Sequence, residues 1–551
     1  MDEPLAGRVT RRTAGARWRW GAGRVAACLV ALAYLGCSEP QAVESESATR
    51  SSGGTVVVAT HQDIAGVNDL VSNVSSLSNE VIGTMYLRLF DEQDDFAEHP
   101  PSFAPRLAES HEFSEDRLTL TVRLRPGVVW SDGEPITAED VRWTWLAQTD
   151  PAVAWSYSHV KEHIEDVEVV DDLTVRFRFT RAYANQLQDA NEGFILPRHA
   201  WSRLPFEEWP EGEQWFQDHL VTSGPFIMTS WRPQEEFVLE RNPRYHEPGL
   251  PVLDRVVFRV IPDRGNHVTQ LLRGEVDFVP RVDVDKVERV QSADNAVLYP
   301  YRHRQYTYLG WNTRRPLFSE PEVRRALTLA VDRQTIIDTL RSGWAVVASS
   351  PILSYVWAFA DLEPWPYDPA AARELLAEHG WRPGPDGVLA RDGQRFSFTM
   401  AVSASARSWR DTVTMVQEQL GLVGIEMFIQ PIEFNTLLGQ LEVGDYEATI
   451  GSWGIDTSLD LTYAFHSEGG YNYGGYSNPR VDELIEEAKR QIDPHDAGPM
   501  LREIQEILHR EQPYTFLWEP QRISAMATRL RDARPNPVST YQNLHEWWIA
   551  E

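Results

Sequence analysis

LTLTVRLRPGVVWSDGEPITAEDV occupies residues 118–141 and carries four structural instructions in a row. Leu118 to Leu124 alternates apolar and polar residues with period two, which predicts a half-buried strand. Pro126-Gly127 then reads as a turn, and Ser131-Asp132-Gly133 as a second one. Thr137 followed by Asp140 is a capping pattern that opens a helix, with Val141 and Trp145 on one of its faces. Nothing in the stretch has the makings of a reaction centre. It is scaffold.

The same alternation of signals continues on both sides. Thr55–Thr60 (TVVVAT), Val175–Phe179 and Phe396–Val402 are predicted strands, and the continuously apolar Val256–Ile261 predicts a strand covered on both faces. Asp368-Pro369 and Asn478-Pro479 each place an N-cap and a first-turn proline before a helical apolar stripe. The stripes run through Ala372, Leu375, Leu376 and His379, and through Val481, Leu484, Ile485 and Ala488. Val323, Leu327, Ala330 and Val331 mark another helix. Strands and helices interleaved in this way predict an α/β fold, with no internal repeat.

The ends of the chain and its charge narrow the class further. Residues 1–37 hold six arginines ahead of an apolar run, Val25–Leu35, that is too short to span a bilayer but fits a signal-peptide core. The only two cysteines are Cys28, inside that run, and Cys37, just after it, so cleavage before Cys37 leaves one cysteine and no possible internal disulfide. Gly36-Cys37 resembles a bacterial lipoprotein cleavage box, with Tyr34 departing from the usual leucine; a plain secretory signal is the alternative. Residues 38–54 are polar and small, as a tether would be. The formal net charge is −29, and such an acidic body repels phosphate backbones, which excludes nucleic acid as a partner.

Catalytic signatures are missing. There is no G-x-S-x-G elbow, P-loop, G-x-G-x-x-G or H-E-x-x-H. His159 and His163 have a ligand-like spacing of four, as for one helix face, but zinc would need a third ligand, and the acidic neighbours suit a surface helix better. His111-Glu112 and His545-Glu546 read as ordinary surface pairs. No metal, cofactor or enzymatic activity is expected.

Residues 107–141, from Leu107-Ala108-Glu109-Ser110 through Arg125-Pro126-Gly127 and Trp130-Ser131-Asp132-Gly133 to Val141, closely resemble the hallmark of the family 5 solute-binding proteins. These are the oligopeptide- and dipeptide-binding components of ABC importers. Further segments in the family's order carry the resemblance over roughly residues 55–550. They are Thr222–Phe226, Leu239–Tyr245, Leu271–Phe278, Leu309–Thr313 and Gly475–Pro479. The resemblance implies a periplasmic-binding-protein-like fold with two hinged lobes and an extra domain. It divides the chain into a signal peptide (1–37), a tether (38–54), lobe I (55–91, 214–305 and 518–551), the extra domain (92–213) and lobe III (306–517).

It also implies a site. In peptide-binding relatives an Asp in a Trp-x-x-Asp segment pairs with the ligand's α-amino group, and Trp453-Gly454-Ile455-Asp456 places Asp456 there. A buried ammonium needs such an anion; the alternative is an Asp that braces a turn beside Thr457 and Ser458. Trp453, Tyr306, Tyr308, Trp311, Trp155 and Tyr157 are the expected aromatic lining. The implied partners are a peptide, permease subunits with their ATPases, and a membrane reached through lipid on Cys37, the protein being a monomer. An oligosaccharide or other polar solute is the second candidate ligand. A secreted hydrolase or chaperone-like factor is the reading from another class.

Overall fold

The structure is a computed structural model that describes residues 52–71 and 76–550. Cys28, Cys37, the signal-like segment and most of the expected tether lie outside the described residues. Gly53 and Gly54, which the sequence placed in the tether, instead dock on the body. Gly53 N–H donates to the Val252 carbonyl at 2.8 Å, and Gly54 N–H to Asp254 Oδ2 at 3.1 Å.

A twelve-stranded sheet organises the chain. Its first half has Thr55–Thr60 at the centre, parallel to Arg255–Val260 on one side and to Phe278–Val279 on the other. Alternate residues of Thr55–Thr60 feed opposite faces. Val56 and Val58 enter one core, while Ala59 enters another with Ile261, Val268 and Leu271. In the second half Ser397–Ser403 lies parallel to Glu426–Ile432 and Ala448–Gly454, and Gln305–Trp311 runs antiparallel to Ala448–Gly454.

One 14-residue strand, Tyr514–Ala527, belongs to both halves. Up to Pro520 it pairs with Gln305–Trp311 and Ala345–Val347. From Gln521 it pairs with Ala296–Arg302 and Phe278–Val279. The chain also crosses between halves at His303-Arg304, between the strands Ala296–Arg302 and Gln305–Trp311.

The opening motif folds as its pattern predicts. Thr119–Leu124 is a strand of a separate four-stranded antiparallel sheet with Ala108–Phe113, Ile164–Asp171 and Thr174–Phe179. Gly127 and Gly133 supply the turns at φ of 77° and 104°. Thr137 caps the helix Ala138–Thr149 in a full capping box, its N–H donating to Asp140 Oδ2 at 2.9 Å. Asp368 accepts from Ala370 and Ala371 N–H, and Asn478 from Arg480 N–H, to start the helices Pro369–Glu378 and Pro479–Lys489. Two expectations are corrected. His545 is half-buried rather than an ordinary surface residue: its carbonyl accepts Val252 N–H at 2.9 Å, and burial pulls its imidazole down to about 4. His163 lies beyond the short turn Ser158–Lys161 that holds His159, so the two do not share a helix face.

The segment Thr222–Pro225 is pinned under the helix Ser76–Met85. Ser223 and Gly224 N–H groups both donate to the Met85 carbonyl, and Leu87 N–H donates to Ser223 Oγ. A Cβ on Gly224 would sit 2.7 Å from the Met85 carbonyl carbon and 2.8 Å from the Thr84 oxygen, and backbone cannot yield as a side chain can. Gly224→Ala should therefore cost about 1–3 kcal/mol, read as a lower midpoint in denaturant unfolding. An unchanged midpoint would mean this junction is looser than described.

Candidate ligand-binding cleft

The strand Ala448–Gly454 ends in a loop whose odd and even residues part ways. Thr457, Leu459 and Leu461 are buried, and Leu459 takes a positive φ of 54° to keep the loop tight. Asp456 and Asp460 point outward. Each braces the turn that follows it. Asp456 Oδ1 accepts from Ser458 N–H at 3.0 Å and from its hydroxyl, while Asp460 Oδ1 accepts from Thr462 N–H at 2.8 Å. The turn-bracing role considered for Asp456 is thus present, and it occupies one oxygen of the carboxylate.

Asp456 also borders a recess of about 420 Å³. One wall comes from the second half of the chain, with Trp357, Asp456, Asp460 and Tyr463. The other comes from Pro100 to Asp189, with His159, Arg181 and Asp189. Behind Asp456, the crossing residue Arg304 ties three segments together. Its guanidinium pairs with Glu92 at 2.9 Å and donates to the Pro537 carbonyl at 3.0 Å, and its own carbonyl accepts Ile455 N–H at 2.9 Å.

The recess has a carboxyl group on each wall. Enclosure by protein raises the pKa of Asp456, with Asp460 adding to the rise and Ser458 and Arg304 opposing it. Across the recess, burial pushes Asp189 up to about 7; Tyr183 and Lys161 oppose this, while Glu192 and Asp456 add to it. Tyr183 Oη donates to Asp189 Oδ2 at 2.7 Å. Buried Lys161 donates to the Asp189 and Glu192 carbonyls rather than to either carboxylate, and burial lowers it to about 8. The negative charge of Asp456 disfavours ionisation of Asp189 across the recess, and a cation between them would relieve this.

The expected aromatics divide into two sets. Trp311 is fully buried in the core of the second half, with its indole N–H on Thr515 Oγ1, and offers a ligand no surface. Tyr306, Tyr308 and Trp155 are also interior. Tyr308, Trp453 and Tyr157 take part in a chain of rings. Tyr514 stacks on Tyr308 at 4.0 Å, Tyr308 faces Trp453 at 6.3 Å, and Trp453 meets Tyr471 at 5.6 Å. From Tyr471 the path continues through Tyr463 to His159 and Tyr157 on the opposite wall. Tyr157, Tyr463 and Tyr471 are 51%, 43% and 48% exposed, and of the three Tyr463 lines the recess. Sequence reasoning missed Tyr463, Tyr471 and Asp189. The tyrosines follow Trp453 within twenty residues and share its loop region. Asp189 carries no local signal, because only the tertiary fold brings it opposite Asp456. Among the described residues no group of three His, Cys, Asp or Glu side chains is placed to hold a metal ion.

The recess thus lies between the second half of the large sheet and the segment from Pro100 to Asp189, within a mixed α/β body. Residues 102–475 match the family described as bacterial extracellular solute-binding proteins, family 5 Middle, and the chain belongs to that family. It is 32% identical over 457 residues to the oligopeptide-binding protein AppA of Bacillus subtilis, covering 81% of this chain and 83% of that one. It is 26% identical over 470 residues to the glutathione-binding protein GsiB of Pectobacterium atrosepticum, covering 83% and 87%. The solved structure of Bacillus subtilis AppA with a nonapeptide superposes with a TM-score of 0.75 at 29% identity, over 91% of this chain and all of that one. The fold is the periplasmic-binding-protein fold of family 5.

The raised pKa of Asp189 has a measurable consequence. The folded protein holds this proton to about pH 7, whereas an unfolded chain releases it near 3.8. The folded state therefore binds more protons inside that window, and the stability Asp189 contributes at its acid end is lost as pH rises from about 4 to about 7. Asp189→Asn keeps an acceptor for Tyr183 and removes the titration. Its melting temperature relative to wild type should climb between pH 5 and pH 8, and a difference independent of pH would contradict the assignment.

Proposed function

We propose that this protein is the receptor of an ABC importer and that it captures peptides in the cleft at Asp456. Two permease subunits and their ATPases would receive the ligand, and no chemistry is done on it. The observation that carries the reading is the placement of Asp456. It borders the recess with one oxygen committed to the turn and Oδ2 without a hydrogen bond from the described residues, opposite the second carboxyl of Asp189. A peptide's ammonium group has the charge and the donors to satisfy both. The similarity to AppA along most of both chains supports the same class of ligand.

Closure in this reading turns on the two crossings. Lobe I is formed by residues 55–91, 214–305 and 518–551, lobe III by 306–517, and the extra domain by 92–213. Trp453 and Tyr308 back the aromatic wall, and Tyr157 faces it. The N-terminal segment is a lipoprotein signal, and lipid on Cys37 holds the monomer at the outer surface of a membrane, in the periplasm or at the cell surface. Cys37→Ser should then release the protein from the membrane fraction.

Ligands eluted from the purified protein and identified by mass spectrometry test the central proposal. Peptides are expected; glycans would instead assign the exposed tyrosines to sugar stacking, and turnover of an eluted ligand would overturn the transport reading. Asp456→Ala should weaken binding of free-amine peptides by about 2 kcal/mol or more, roughly 30-fold, and leave N-acetylated peptides unaffected. Equal wild-type affinity for acetylated and free peptides would remove Asp456 from the site.

A further inference from the structure

Between the short strands Phe90–Glu92 and Phe103–Pro105 the chain makes a loop, residues 93–102, that closes on itself. Gln93 N–H donates to the Ser102 carbonyl at 2.9 Å, and Ser102 N–H donates to Asp95 Oδ1 at 3.0 Å. The loop reads QDDFAEHPPS, with one phenyl ring set among acidic and small residues. Asp94, Ala97 and Glu98 are exposed, yet Phe96 between them is only 3% exposed. It is buried in a foreign core. The other buried members of its hydrophobic cluster all lie between Tyr306 and Phe516. Pro100 and Pro101 of the same loop line the recess on the wall opposite Asp456. The loop is therefore a finger that extends from one wall and seats its tip in the other.

The socket lies directly behind the ligand-facing loop. Tyr355 flanks the Phe96 ring at 5.8 Å, and the Arg304 guanidinium stands over it at 5.7 Å. A cavity of about 10 Å³ lies beside the ring, bordered also by Leu353, Val356, Ile455, Asp456 and Leu459. The last three belong to the loop that presents Asp456 to the recess, so the ring supports that loop from its inner side. Among the described residues one hydrogen bond joins residues 93–102 to residues 306–517, from Trp357 N–H to the Phe96 carbonyl at 3.0 Å. The tip is thus held by apolar burial and not by a ladder. The cavity beside it forfeits part of the packing attraction, which lowers what withdrawal of the ring costs.

We propose that Phe96 is a latch on the recess and a positioning residue for Asp456. Seated, the ring holds the wall formed by residues 100–189 against the Asp456 loop. Withdrawn, it frees both. A self-closed loop attached by one ring and one hydrogen bond can leave its socket as a unit, without unfolding either wall. Burial of one phenyl ring favours the seated arrangement by roughly ten- to a hundredfold. A solute that touches both walls adds to this bias, and it departs when the ring departs. Phe96 in this way sets how long the solute stays, while the groups facing the recess set which solute is taken. That the solute is a peptide rests on the function proposed above; the latch does not depend on it.

The test uses the full-length chain with Cys28 and Cys37 changed to Ser, so that Val356→Cys supplies its sole thiol. Val356 is 6% exposed and borders the cavity beside Phe96, where withdrawal of the ring uncovers it. The probe is peptide eluted from the purified protein and resynthesised, and the readout is the rate of labelling by a maleimide. Peptide at ten times its dissociation constant should slow labelling about tenfold, and Phe96→Ala added to this chain should restore the fast rate with peptide present. In the chain without Val356→Cys, Phe96→Ala should speed peptide release about tenfold or more, and Phe96→Leu should recover most of the wild-type rate. A ring that only fills a core would leave the thiol equally slow with and without peptide, and its removal would lower the melting temperature without changing release. Either result would overturn the latch. Should Phe96→Ala fail to fold, the labelling of Val356→Cys decides alone. If the eluted material is a glycan and protects the thiol in the same way, the latch stands and the peptide reading falls.

Discussion

The molecule is built around a backbone constraint: its two half-sheets are zipped along one continuous strand, Tyr514–Ala527. Hydrogen bonds to Gln305–Trp311 hold the first part of that strand, and bonds to Ala296–Arg302 hold the second. The halves cannot separate without breaking a ladder, and the pairing changes hands near Pro520-Gln521, beside the crossing at His303-Arg304. Arg304 lies at that crossing and, through Glu92, Pro537 and Ile455, ties it to the strand Phe90–Glu92, the C-terminal segment and the loop that carries Asp456. A half-buried ion pair of this kind is worth more as a fixed geometry than as net stability.

Most of the fold was legible in the sequence because its elements are locally consistent. The capped helices at Thr137, Asp368 and Asn478 and the strands at Thr55, Thr119 and Thr174 begin within a residue or two of where caps and alternation put them. Propensity, periodicity and capping agree at each of these positions. The pairing order was not legible. No periodicity in Thr55–Thr60 says that its neighbours are residues 255–260 and 278–279, and nothing in Tyr514–Ala527 announces that it serves two halves.

The site was legible only where a motif marks it. Asp456, the aspartate of the Trp-x-x-Asp segment, borders the recess, whereas Trp453 is not part of its lining. Counting aromatics was a weaker guide: Trp311, Tyr306, Tyr308 and Trp155 are large side chains that the core consumed, while the accessible rings Tyr463 and Tyr471 looked no different in sequence. Asp189 is a product of convergence: alone it reads as surface, and only the assembly of distant segments brings it to the same recess as Asp456.

The central position of Thr55–Thr60 also dictates when this protein can fold. The strand that leaves the ribosome first has no partner until about two hundred more residues have been made, and the strand that unites the halves is among the last. Contacts this remote in sequence form slowly. Neither half of the large sheet has all its strands until Tyr514–Ala527 has been made, whereas the four-stranded sheet of residues 108–179 is complete early. Order of translation and order of assembly are uncoupled by the topology itself.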